Sequence, residues 1–259
     1  MEHLRKMSAE KAQTGVKTAA VLVIGDEILS GRTQDTNSNA IARFLAGLGI
    51  DLKEIRVVPD DENEIVAGLN ALRRRHDFVF TTGGIGPTHD DITADAVARA
   101  FEVGIGYHPE AYALLEARYA PGEFNDMRKR MARIPHGASP VKNTASVAPG
   151  FHIGNVYVMA GVPAVMRAML DAIAPELPRG TEWTVATVSA AIPEGAIATG
   201  LAAIQKAHAD VAIGSYPFYS DNGPGTQLVT RGRDSQSVEQ AAREIEAMLK
   251  TFGVAPLRL

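Results

Sequence analysis

Short β-branched apolar runs alternate with apolar residues at helical spacing, and this alternation limits the possible folds more than any other feature. The runs at 18–24, 52–58, 78–82 and 155–159 are the length of strands, and residues with helical spacing follow each of them. Strand–helix–strand units of this kind build a mostly parallel sheet. The sequence therefore predicts an α/β fold for this part of the chain.

Breaks in the alternation predict three segments. Residues 1–17 are predicted to be a polar tail, 18–178 an α/β domain, and 179–259 a small α+β unit ordered βαββα. The boundary falls where Pro175 and Pro178 punctuate the chain, because proline ends regular elements.

Two further segments have a distinct composition. Residues 109–133 are rich in charge and are predicted to be helical throughout, as a surface excursion or a subunit contact. Residues 220–225 contain Ser, Asp, Asn, Gly and Pro, which favour turns, and they are predicted to form a mobile loop between two strands.

Charge and composition exclude several classes of protein. The formal net charge is -4 and no basic run is longer than Arg73-Arg74-Arg75, so nucleic acid is not an expected partner. The absence of cysteine excludes disulfides and thiolate metal sites. The apolar runs are too short for a membrane span, and the N-terminus lacks the apolar centre of a signal peptide. We expect a cytoplasmic protein.

The loop after the third strand is the strongest candidate site. In open α/β sheets, ligands bind beyond the carboxyl ends of the strands. Three glycines within 83–86 let backbone N–H groups approach an anion, and the following helix directs its positive end there. Asp90 and Asp91 close this loop, and Asp60 ends the neighbouring strand. A phosphate would bind here without lysine.

Each of these features has a simpler structural explanation. The glycines are compatible with an ordinary tight turn, and Asp91 or Thr93 with a helix cap. Asp60 and Asp61 are compatible with a solvated turn or a cap of the next helix, and Asp26 with an ordinary loop. Their coincidence on one rim of the sheet favours a ligand site.

Other nucleotide and hydrolase templates fit poorly. The loop lacks the third glycine of the dinucleotide fingerprint and the Lys-Ser/Thr of a P-loop. There is no Gly-x-Ser-x-Gly elbow and no zincin histidine pattern. His89 lies in the loop and is placed to contact a ligand, whereas the other histidines are expected at surface or structural positions.

Residues 81–93, with the sequence TTGGIGPTHDDIT, resemble the signature of the MoaB/MogA molybdopterin-binding superfamily. The Gly-Pro-Thr-x-Asp-Asp form is similar to that of the CinA (competence/damage-inducible protein A) branch. Further matching motifs lie at 25–31, 35–37, 57–61, 143, 148–151 and 161–163. The resemblance is clear over about residues 21–170 and looser in the C-terminal unit.

The resemblance implies a three-layer α/β/α domain, frequently a homo-oligomer, that binds a small nucleotide or pterin such as molybdopterin. It implies catalytic roles for Asp60 and Asp91, and Mg²⁺ or another divalent cation at Asp60, Asp90 and Asp91. The ligand-binding residues that it implies are Gly25, Asp26, Asn37, Thr82, Gly83, Gly84, Gly86, Pro87, Thr88, His89, Thr93, Gly150, Gly161 and Pro163.

Three functions remain open at this point. CinA-type domains are associated with metal-dependent ADP-ribose pyrophosphatase activity, which is the leading expectation. The chain departs from the CinA pattern at Ala160, where proline is usual, and at Val165, where glutamate is usual. The lost carboxylate favours a binding module without catalysis. Adenylylation of molybdopterin is a weaker alternative, because of the Asp-Asp form and the additional unit.

Overall fold

A computed structural model describes residues 15–220 and 223–259. The chain forms two compact units, of which the first ends at Gly180 and the second runs from Thr181 to Leu259. Each unit encloses its own hydrophobic core. Most of the predicted N-terminal tail, residues 1–14, lies outside the described residues.

The first unit contains a six-stranded sheet with helices on both sides. The strands of this unit are β1 (Thr18–Ile24), β2 (Asp51–Val58), β3 (Phe78–Thr82), β4 (Ile105–Tyr107), β5 (Arg133–Pro135), β6 (Ser139–Val141), β7 (Gly150–Ile153) and β8 (Val156–Met159), of which β4 and β5 lie outside the six-stranded sheet. Its helices are α1 (Asp26–Leu29), α2 (Asn37–Gly47), α3 (Glu62–Arg75), α4 (Thr93–Ala100), α5 (Pro109–Glu116), α6 (Asp126–Lys129) and α7 (Pro163–Ile173), with 3-10 turns at Arg130–Ala132 and Ala174–Glu176.

The order of the main sheet is β2-β1-β3-β8-β7-β6. Strands β2, β1, β3 and β8 are parallel to one another, whereas β7 and β6 are antiparallel and form one edge. The mostly parallel sheet predicted from the alternation is confirmed. The sequence analysis missed the antiparallel edge.

Burial along β1 shows why the unit has three layers. Leu22 and Ile24 belong to the core on one face, which α3 and α4 cover, while Val21 and Val23 belong to the core on the other face, under α2 and α7. Strands buried on both faces read as continuous apolar runs. Each fully buried Leu or Ile contributes about 1.5–3 kcal/mol of transfer free energy.

The predicted helix over 109–133 is wrong. Helix α5 ends at Glu116, and the chain turns through Pro121 and Gly122 before the short helix α6. Strands β4 and β5 then pair to form a separate two-stranded sheet. Tyr112 and Tyr119 pack against Phe124, so aromatic contacts between turns replace a continuous helix. We call residues 105–135 the excursion.

The second unit is a four-stranded antiparallel sheet with two helices. Its elements are β9 (Thr184–Ala190), α8 (Glu194–Ala207), β10 (Ala212–Ser220), β11 (Gly223–Gly232), α9 (Ser235–Thr251) and β12 (Leu257–Arg258), and the sheet order is β10-β11-β9-β12. The predicted βαββα order is confirmed and is followed by one additional short strand. Val188, Leu228 and Ile245 lie in its core.

The predicted loop over 220–225 is shorter in the structure. Strand β10 continues to Ser220 and β11 begins at Gly223, so most of the predicted loop is paired strand. Residues 221–222 lie outside the described residues. Among the helices that the structure describes, the longest is α9, with 17 residues, and none combines the length and apolar content of a membrane span.

Candidate functional site

The carboxyl ends of four parallel strands meet at one rim. Ile24 of β1 is in register with Val58 of β2, and Thr82 of β3 is in register with Met159 of β8. Val23 of β1 also pairs with Thr82. The loops that follow these strands therefore lie side by side, as the topology of a parallel sheet predicts.

The loop after β3 is fixed by its glycines and by Thr93. Gly83 and Gly84 have φ of +105° and +66°, which only glycine adopts without strain. The hydroxyl of Thr93 donates to the Gly83 carbonyl at 3.0 Å, and its N–H donates to the Gly84 carbonyl at 3.0 Å. Thr93 is fully buried. The beginning of α4 is thereby tied to the backbone of the loop.

The carboxylate of Asp91 closes the far side of this loop. Its Oδ2 accepts from the Thr88 N–H at 2.7 Å and from the Thr88 hydroxyl at 2.5 Å. The cap position of α4 is Ile92, and no side chain caps this helix. The alternative in which Asp91 or Thr93 is a helix cap is therefore wrong, and Asp91 instead holds the turn at Thr88.

The adjacent residues Asp60 and Asp61 have separate roles. Asp61 caps α3, since its Oδ1 accepts from the N–H groups of Asn63 and Glu64 at 2.9 and 3.1 Å. Asp60 points to the loop after β1, where its Oδ2 accepts from the Asp26 N–H at 3.0 Å. Of the two, only Asp60 faces the rim.

Several carboxylates share this part of the rim. Burial raises the pKa of Asp60 above its ordinary value; the Asp26 N–H lowers it, and repulsion from Asp26, Glu27 and Asp90 raises it further. A carboxylate in such surroundings is a better proton acceptor than an exposed one. His89 and Asp90 are more exposed, with 94% and 60% of their side chains accessible and 3.9 Å between Nδ1 and Oδ1.

The carboxylates at the rim do not form a complete set of metal ligands. Within residues 15–220 and 223–259, no three His, Asp or Glu side chains come together in a group that could hold a metal ion. Asp60 and Asp90 are close enough to repel each other, whereas one oxygen of Asp91 is occupied by Thr88.

Asn37 joins the loop after β1 to the loop after β8. Its Nδ2 donates to the Gly161 carbonyl at 2.7 Å, and Gly161 packs against Gly83. The Oδ1 atom of Asn37 is buried, and the described residues offer it no hydrogen-bond partner. Asp35 anchors the start of α2 by accepting from the N–H groups of Asn37 and Ser38, each at 3.0 Å. The sequence analysis missed Asp35, although a cap signal is present.

Four of the predicted ligand-binding positions lie at or close to the ends of strands and helices. The Gly25 N–H donates to the Val58 carbonyl at 3.1 Å and extends the sheet. Thr82 is buried at the end of β3. Pro163 is an exposed residue in the first turn of α7. A Cβ on Gly150 would lie 2.3 Å from the Val158 carbonyl oxygen, so Gly150 allows β7 to approach β8.

Gly150→Ala is expected to lower the free energy of unfolding by about 2–4 kcal/mol, because the strand would have to move away from β8. Urea unfolding measures this effect. The matched control is Gly47→Ala in α2, where a Cβ meets no atom within 4 Å. If Gly150→Ala kept its stability and no longer bound ligand, Gly150 would serve ligand binding and not the packing of β7 against β8.

One residue at the loop escaped the sequence analysis. Arg130 of the excursion donates from Nη2 to the Asp91 carbonyl oxygen at 3.2 Å. It lines a small cavity together with Gly84, Gly86 and Asp91. Arg130 stands in a run of three basic residues far along the chain from the loop, and nothing in that spacing distinguishes it.

Comparison with known families agrees with the two units. Residues 20–179 match a family described as "Probable molybdopterin binding domain", and residues 182–257 match one described as "FAD synthase, middle domain". The first match covers more than half of the chain.

Relatives match over most of their length. A protein of Archaeoglobus fulgidus is 34% identical over 230 residues, which are 88% of this chain and 96% of that protein. A protein of Caldivirga maquilingensis is 36% identical over 208 residues, 77% of this chain and 81% of the relative. The crystal structure of "the protein CinA with unknown function from Thermoplasma acidophilum" superimposes with a TM-score of 0.59 at 33% identity, covering 62% of this chain and 98% of that one. The chain therefore belongs to the molybdopterin-binding domain family, as a CinA-like member.

Proposed function

We propose that the first unit binds a pyrophosphate-containing ligand and hydrolyses ADP-ribose with the help of a divalent cation. The observation that carries this proposal is the position of Asp60. It lies among other carboxylates on the same rim as the glycine loop at 83–86, and its pKa is raised. The group that holds phosphate and the group that accepts a proton thus lie on the same rim, after β3 and β2, the two strands that flank β1.

The loop supplies the binding half of the proposed site. The backbone N–H groups of 84–86 and the beginning of α4 favour an anion, because both present partial positive charge, whereas the Gly83 N–H donates to the Met159 carbonyl. The loop is rigid, since Thr93 and Asp91 hold it from its two sides. A rigid cradle loses little conformational entropy when ligand binds.

The carboxylates make a cation necessary. A carboxylate about 4 Å from a phosphate charge costs on the order of 4 kcal/mol at an effective dielectric of 20, more than a few amide hydrogen bonds offset. Mg²⁺ commonly takes one or two carboxylates and completes its shell with substrate phosphates and water. Asp60 and Asp90 fit this requirement and would hold the ion, with Asp91 as the third predicted ligand. When bound, the ion would neutralise phosphate charge.

In the proposed reaction, water adds to one phosphorus atom and the P–O–P bond breaks. Asp60 accepts the proton that the water loses, and the departing phosphate carries the electron pair of the broken bond. The products are AMP and ribose 5-phosphate. The amides of Gly84, Ile85 and Gly86 hold the phosphate oxygens as their negative charge grows.

Purified protein is expected to release AMP from ADP-ribose in the presence of Mg²⁺, and chelation should stop the reaction. Chromatography of the nucleotide products measures this. Absence of AMP above a protein-free control, with Mg²⁺ or Co²⁺ present, would remove the hydrolase proposal.

A second candidate is a binding module that carries molybdopterin or senses a nucleotide. Two observations favour it. Val165, where CinA proteins usually have glutamate, packs against the core under α2 and α7. One oxygen of Asp91 is committed to Thr88. Calorimetry that finds tight ligand binding without any turnover would decide for this candidate.

Asp91→Asn tests whether the Asp91 carboxylate takes part in hydrolysis or only holds the turn at Thr88. Asparagine keeps an oxygen that accepts from Thr88, so we expect the melting temperature to stay within a few degrees of wild type. If the charge serves catalysis, hydrolysis should fall at least about tenfold. Asp61→Asn is the control, because Asp61 caps α3 and does not face the rim, and its hydrolysis should stay at the wild-type level. Full hydrolytic activity in Asp91→Asn would leave Asp91 with only the role of holding the turn.

A further inference from the structure

Arg130 differs from the other basic residues of the excursion in its partners. Arg133 makes a bidentate ion pair with Asp95, at 2.6 and 3.1 Å, and Lys129 pairs with Asp126 at 2.9 Å. The hydrogen bond that Arg130 makes goes to a neutral group, the carbonyl of Asp91. Within the part of the chain that the structure describes, no carboxylate lies within ion-pair distance of Arg130.

The surroundings of Arg130 place its charge at the loop. The residue is half-buried, in a cavity that Gly84, Gly86 and Asp91 also line. The ion pair between Arg133 and Asp95 fixes the adjacent segment to α4, which holds Arg130 in position. A half-buried guanidinium without a counterion is costly, and an anionic ligand removes that cost.

We propose that Arg130 is a ligand-binding residue that pairs with a phosphate group seated on the glycine loop. This inference rests on the proposed function only in that the ligand carries phosphate. The planar guanidinium fork matches two phosphate oxygens, and such charge-assisted contacts are stronger than contacts from amides alone. The site then has a cationic side at Arg130 and an anionic side at Asp60 and Asp90. A diphosphate spans the two sides.

The test uses the full chain and α,β-methylene-ADP with Mg²⁺, a diphosphate that cannot be hydrolysed at the bridging position. Calorimetry at low and high NaCl measures affinity and its salt dependence for wild type, Arg130→Gln, Arg130→Lys and Arg99→Gln. Arg99 is the matched control, because it lies on α4 and pairs with the exposed Glu62 at 3.0 Å.

We expect Arg130→Gln to weaken binding by about 10- to 100-fold and to reduce the salt dependence, while its melting temperature stays at the wild-type value. Arg130→Lys should recover part of the affinity, and Arg99→Gln should bind as wild type does. A residue that only clamps the excursion to the loop would lower the melting temperature without changing the salt dependence, and that result would overturn the inference.

The outcomes separate this inference from the hydrolase proposal. Equal affinity in wild type and a folded Arg130→Gln protein would overturn the role of Arg130 and leave hydrolysis standing. Binding that depends on Arg130, with no release of AMP from ADP-ribose, would support the inference and remove hydrolysis. Failure of wild type to bind the diphosphate would overturn the role of Arg130, and the release of AMP from ADP-ribose would decide hydrolysis separately.

Discussion

Gly84→Ala is expected to lower the free energy of unfolding by about 2–4 kcal/mol, whereas Gly86→Ala should cost about 1 kcal/mol or less and mainly weaken ligand binding. A Cβ added at Gly84 would lie 2.2 Å from the Thr93 hydroxyl oxygen, which is buried and bonded to Gly83. The backbone at this position also has φ of +66°. Both the hydrogen bond and the backbone conformation are lost.

Substitution of Gly86 tests phosphate binding by the loop at 83–86 with less effect on folding than substitution of Gly84. Its φ is outside the left-handed region, and an added Cβ would lie 2.6 Å from Oδ2 of Asp91, so this carboxylate has to shift and its hydrogen bonds to Thr88 weaken, at a net cost of about 1 kcal/mol. The added methyl would stand where a phosphate approaches the amides. Urea unfolding and calorimetry with α,β-methylene-ADP and Mg²⁺ measure the two effects. Wild-type affinity in Gly86→Ala would contradict phosphate binding by the loop at 83–86. Wild-type stability in Gly84→Ala would contradict the packing around Thr93.

Asp60→Asn is expected to reduce ADP-ribose hydrolysis by at least about 100-fold, because the proton acceptor is lost. The Asp60→Asn protein should, in contrast, be more stable than the wild type. The pKa of Asp60 is raised in the folded protein, so ionisation of this group disfavours folding. Asparagine keeps an acceptor for the Asp26 N–H and carries no charge to bury.

The pH dependence of stability provides a second measurement. Below the ordinary pKa of 3.8, Asp60 is protonated in both states and the wild type has its full stability from this group. As the pH rises through the raised pKa, the wild type loses that stability and Asp60→Asn does not. Melting temperatures should therefore diverge in favour of the variant towards neutral pH. Asp61→Asn is the control, since asparagine caps a helix as well as aspartate does. A variant of Asp60 that hydrolyses ADP-ribose normally would contradict its catalytic role.

The sequence predicted the central sheet and the rim because both depend on local patterns. The runs that became β1, β2, β3 and β8 are rich in apolar residues, which is typical of strands buried on both faces. Once four strands are parallel, their carboxyl ends must meet. The loops that carry Asp60 and Gly84 then lie on the same rim, although β1 separates the two strands that they follow.

The excursion could not be predicted in the same way. Its helical propensity is high, but Pro121 and Gly122 interrupt it, and aromatic contacts between distant turns decide its path. Strands β6 and β7 are only three and four residues long, too short for a clear alternation. The contact between Arg130 and Asp91 joins residues 39 apart in sequence and exists only because the excursion packs on α4.

The turn after β2 depends on its length, because its two adjacent aspartates bind different partners. Asp61 starts a helix and Asp60 reaches across to the next loop, and each does so because it occupies a fixed step along the backbone. Removing one residue between Val58 and Glu62 would leave a single carboxylate to serve two partners on different sides of the chain. Substitutions here change one function at a time, whereas a deletion would detach the helix from the rim. Relatives of this chain are therefore expected to keep the number of residues in this turn.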